Sequence, residues 1–64
     1  MTFKRGDRVI VISSNVGTQY DGRKGIIAKL DSYYRYPYLV YLDNGPALWA
    51  TIIPLSPVME ELYD

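Results

Sequence analysis

Cysteine and histidine are both missing from the chain. Without cysteine there is no disulfide framework and no thiolate metal site, and the redox compartment is left open. With histidine gone as well, no motif pairs a nucleophile with a base, so no catalytic residue is assigned and a non-enzyme is expected. No apolar run approaches the roughly 20 residues of a membrane span, and no basic segment leads into a long apolar one as in a secretory signal. A cytoplasmic protein with no membrane partner is therefore the expectation. Excess charge is absent too, since seven Lys and Arg balance seven Asp and Glu. A net charge of zero gives no overall attraction to a polyanion.

Sixty-four residues allow one domain at most, near the lower limit of what folds alone. Stability must come from packing, for which a hydrophobic fraction of 48% provides the material, or from weak self-association of an otherwise monomeric chain. The charges are unevenly placed. Residues 1–35 hold all seven basic side chains against three aspartates, and residues 36–64 hold only four acids. Such asymmetry can point to a polyanion partner, but in so small a fold the two halves interleave in space, so a mixed, solvated surface is the first reading.

The stretch from Tyr20 to Leu30 organises the rest. Gly22 and Gly25 can each take a positive φ or admit a close backbone neighbour, so a strand beginning near Arg23 starts sharply and bends. Before it, Arg8 to Ile12 is a β-branched run in which Val9 and Val11 share one face, and Ile10 and Ile12 the other. Both faces are apolar, as suits a coiled strand that serves two sides of a barrel or is partly covered by a loop. Ser13 to Tyr20 is polar and too long for a tight hairpin, so it is read as a surface excursion. Phe3 is a candidate lid on one end of the core.

Beyond a turn at Asp31-Ser32, the segment from Tyr33 to Leu42 holds five of the seven tyrosines. It changes from loop to strand around Pro37, which cannot donate to a ladder. Asp43-Asn44-Gly45 is a hairpin signal. In the strand from Ala47 to Ile53, Leu48, Ala50 and Ile52 alternate with Trp49, Thr51 and Ile53. Pro54 to Pro57 then breaks that strand, with Leu55 placed to plug the barrel end. Ser56 could cap a helical turn with Pro57 at its first position, or residues 57–64 could be a flexible acidic tail. The expected division is a barrel over residues 1–56 followed by that tail.

Gly6-Asp7-Arg8-Val9-Ile10-Val11 resembles the Gly-Asp-x-Val-x-Val opening of bacterial and phage SH3-like modules. Gly22-x-x-Gly25-x-Ile27 resembles the heart of the KOW motif of ribosomal proteins and transcription elongation factors. Tyr38 to Gly45, followed by Leu55, resembles the later half of such barrels. Together these cover roughly residues 4–56 and imply an all-β fold, a small five-stranded SH3-like barrel of the KOW or Tudor type. The superfold serves binders of RNA, proline-rich peptides, methylated side chains and other proteins, so function must be argued from a site. Ribosomal KOW domains are strongly basic and this chain is neutral, a departure that speaks against rRNA binding.

Asp7, Asp21, Asp31 and Asp43 each sit in a turn signature, which accounts for them without catalysis, and isolated carboxylates at these spacings match no metal-ligand pattern. No cofactor is implied. The tyrosines are the sharper lead. Tyr33, Tyr34 and Tyr36 around Arg35, with Trp49 on the next strand and Tyr20 beside Arg23 and Lys24, form a candidate aromatic and cationic partner-binding patch. Tyr38 and Tyr41, inside a strand, are read as widening a small core and packing across neighbours, and Trp49 fits either role. Three functions follow. The first is a protein-interaction module, phage-encoded if the resemblance extends that far, acting on a host or virion component. The second is a KOW-like binder of single-stranded nucleic acid, or of a transcription or translation complex, using tyrosine stacking with Arg23, Lys24, Lys29 and Arg35. The third is a structural homo-oligomer that buries the tyrosine patch against its own copy.

Overall fold

The computed structural model describes residues 3–62. Four strands form where the β-branched and aromatic runs stand: β1 (Arg8–Ser14), β2 (Lys24–Leu30), β3 (Tyr38–Leu42) and β4 (Ala47–Pro54). A helix, α1 (Pro57–Leu62), follows and starts at the proline, whose missing N–H would have no partner in a first helical turn. No described helix is long and apolar enough to cross a membrane.

All neighbouring strands are antiparallel, and the sheet closes in the order β1-β2-β3-β4, with β4 returning to β1. The fifth strand implied by the family resemblance has no counterpart among the described residues. Closure with four is achieved by bending. β1 pairs with β2 through Arg8 to Ile10 and with β4 from Val9 to Ser14, and its register shifts between Val11 and Ser13. β2 shifts likewise between Ile27 and Lys29 against β3. An extra residue on one strand sharpens the local twist, so a strand turns from one neighbour to the next. After Leu55, whose N–H donates to Arg8 O at 3.0 Å, the chain turns helical instead of adding a strand.

The core is made by alternate residues: Val9 and Val11 of β1, Ile27 of β2, Val40 and Leu42 of β3, and Leu48, Ala50 and Ile52 of β4. Phe3 and Tyr38 pack against it, their rings edge to face with centroids 5.4 Å apart, and Leu55 is buried. Tyr41, in contrast, stands on the outer surface opposite Ile26, 54% exposed. Its alternation with Val40 and Leu42 sends it outward, so it widens no core.

The two glycines of the organising stretch have different jobs. Gly22 takes φ +83°, the left-handed turn that returns the long loop to the sheet, and its N–H donates to Val11 O at 2.8 Å. Gly25 lies inside β2, where a Cβ would stand 2.5 Å from Val40 Cγ1 and 2.8 Å from Tyr41 O. β2 and β3 approach that closely only because no side chain intervenes.

Candidate functional site

Residues 31–37 link β2 to β3, and Asp31 ties the base of this loop. Its N–H donates to Pro37 O at 2.7 Å, while its carboxylate accepts from the Tyr33 N–H at 3.1 Å, an Asx turn. The loop is thereby closed on itself, and the residues between Tyr33 and Tyr36 are thrown outward. Tyr33 is 96% exposed and Tyr34 61%, whereas Tyr36 and Pro37 are half-buried.

Tyr34 leans on Trp49 of β4, with ring centroids 5.6 Å apart and planes at 60°. Trp49 is itself fixed from the other side by Asn15, the first residue after β1. The Asn15 N–H donates to Trp49 O at 3.0 Å, and the Asn15 side-chain oxygen accepts from the Trp49 N–H at 3.3 Å. One asparagine thus continues the β1–β4 ladder with a side chain in place of a peptide group. Between these walls lies a groove of about 370 Å³, lined by Asn15, Tyr34, Arg35, Tyr36 and Trp49. Among the described residues Arg35 has no ion-pair partner, and no carboxylate lines the groove.

Four of the eight candidate binding residues, Tyr34, Arg35, Tyr36 and Trp49, therefore meet in one place. Tyr33 sits beside them without lining the groove. Tyr20, Arg23 and Lys24 lie elsewhere. Tyr20 packs against the core, the Arg23 guanidinium lies 5.9 Å from the centre of its ring, and Arg23 and Lys24 line a smaller cleft of about 170 Å³ with Leu42, Asp43 and Asn44. That cleft holds two cations and one carboxylate, and the carboxylate is already engaged. Arg8 grips Asp43 through two bonds of 2.7 and 2.8 Å, and this guanidinium holds the Asp43 carboxyl below the usual carboxylate range. Asp7 is lowered as well, by its hydrogen bonds from Lys4.

Asn15 is the groove residue that sequence reasoning missed. It stands in a polar loop and carries no motif; only the register of β1 on β4 brings it to Trp49. No family model, characterised protein or solved structure matches the chain.

Proposed function

We propose that the chain is a non-catalytic binding module on an SH3-like barrel of the KOW type, and that its groove over Trp49 takes a segment of another protein. The observation that carries this reading is the convergence of two tyrosines, an arginine and the sole tryptophan on one concave surface. Tyr, Trp and Arg provide large contact areas with hydrogen-bonding tips and are enriched in protein-binding hot spots. The volume lies at the low end of the ~300–1,000 Å³ typical of ligand sites, enough for one or two side chains of a partner.

Ring orientation argues for a protein over a nucleic acid. Tyr34 and Trp49 touch each other at 60°, so they form two walls of a corner rather than parallel plates that admit a base between them. One cation, Arg35, accompanies them, where a backbone-tracking groove uses several.

The test compares the wild type with the double variant Tyr34→Ala plus Tyr36→Ala as baits. Both side chains lie in a loop outside the strands, so the variant is expected to keep its circular dichroism and thermal unfolding while losing the wild type's stoichiometric protein partner. A folded variant that retains every partner would refute the groove as the site.

A further inference from the structure

α1 presents two exposed apolar side chains. Val58 and Leu62 are four residues apart, hence on one side of the helix, and they are 69% and 79% exposed. Glu61 beside them is exposed as well. Six residues form less than two turns, and isolated helices shorter than about 12 residues are marginal in water, so tertiary burial is what would hold this one. The groove of its own barrel does not supply that burial: no described residue of α1 lines it, and Val58 and Leu62 stand exposed.

The chemistry of α1 nevertheless matches the groove. One offers two aliphatic side chains with an adjacent carboxylate; the other offers aromatic walls with an arginine and no acid. We propose that α1 of one copy docks in the Trp49 groove of a second copy, Val58 and Leu62 against Tyr34, Tyr36 and Trp49, and Glu61 toward Arg35. This is a helix-in-groove contact anchored at i and i+4. It rests on the reading of the groove as a protein-binding surface and names the partner as the chain itself. Each copy carries one donor helix and one acceptor groove, so the contact is head-to-tail, giving rings if the rotation closes and open chains if it does not.

The sole tryptophan makes the test direct. With rising concentration the full-length chain should grow in mass by light scattering while Trp49 emission shifts to shorter wavelength. Val58→Asp plus Leu62→Asp removes the donor, and Tyr34→Ala plus Tyr36→Ala removes the acceptor. Each variant alone should remain monomeric, and an equimolar mixture should form a one-to-one heterodimer, because one still has its groove and the other its helix. As an independent arm that truncates no side chain to alanine, Arg35→Glu should abolish association and Arg35→Glu combined with Glu61→Arg should restore it. A wild type that stays monomeric at every concentration overturns the proposal, as does association that survives either double variant, or a mixture that fails to pair. A monomeric wild type whose protein partner is lost by the tyrosine variant and kept by the helix variant overturns self-docking alone and leaves the groove as a site for another protein. A tyrosine variant that keeps both its self-association and all its partners removes both readings.

Discussion

At the residue scale, Gly22 and Gly25 look alike in sequence, two glycines three apart, and differ in what they do. Both were legible as required glycines, because a turn feeding an apolar run needs them. Which of the two physical reasons applies to which was not, since φ and interstrand distance depend on the closed sheet. At Gly22 a Cβ meets nothing within 4 Å, and the cost of alanine is that of holding a left-handed φ, about 1–2 kcal/mol. At Gly25 backbone geometry is ordinary, and the cost is overlap with Val40 and with the Tyr41 carbonyl, which a strand in the ladder cannot easily yield. Overpacking of this kind costs about 1–3 kcal/mol and more where backbone must move. Urea denaturation should therefore rank Gly25→Ala as more destabilising than Gly22→Ala. An equal loss at both positions would show that β2 and β3 relax apart at Gly25.

At the scale of elements, the hairpin between β3 and β4 is readable from Asp43-Asn44-Gly45, although neither Asn44 nor Gly45 takes the positive φ that a type I′ turn needs, and the sequence shows Asp43 only as turn chemistry. Its partner Arg8 is 35 residues away, and only closure of the sheet reveals that the acid also clamps β1 to the turn. The groove shows the same limit. Tyr34, Arg35 and Tyr36 were visible as a loop cluster, whereas the Asn15–Trp49 pairing that makes its floor belongs to register. A consequence of the clamp can be measured. The Asp43 pKa is depressed in the folded chain by the Arg8 hydrogen bonds, so the contribution is present above the unfolded value near 3.8 and is lost as pH falls through the folded value. Asp7, lowered by Lys4, shifts stability in the same direction and is unchanged by substitution at position 8. The stability difference between wild type and Arg8→Gln should be constant from about pH 8 to about pH 5 and should shrink below about pH 4. Denaturation midpoints across that range give the answer, and a difference that does not change in acid would mean the pair is not formed in solution.

At the scale of the molecule, alternation made the core legible. Val9, Val11, Leu48, Ala50 and Ile52 follow from a period of two, and β1 was expected to coil because both its faces are apolar. On the second of those faces Ile10 is only 5% exposed, though outside the central cluster, whereas Ile12 is 50% exposed, so that face is covered at one residue and open at the other. Closure with four strands was not legible, because it depends on bulges at Val11–Ser13 and Ile27–Lys29 that no residue pattern marks. Charge is the remaining whole-molecule property, and it bears on the choice between protein and nucleic-acid partners. Part of the basic first half is neutralised, Lys4 by Asp7 and Arg8 by Asp43, while Arg23 and Lys24 share a cleft whose one carboxylate is that same Asp43. Affinity for a polyanion scales with the number of phosphates neutralised, each adding about one unit to the slope of log K against log salt. With neutral net charge and one arginine in the groove, a labelled single-stranded oligonucleotide should show no saturable anisotropy change at about 150 mM salt, and at low salt only weak binding with a slope of about one or two. Micromolar binding with a steep slope, lost in Arg23→Ala plus Lys24→Ala, would instead place a nucleic acid on the far cleft and remove the groove from the centre of the function.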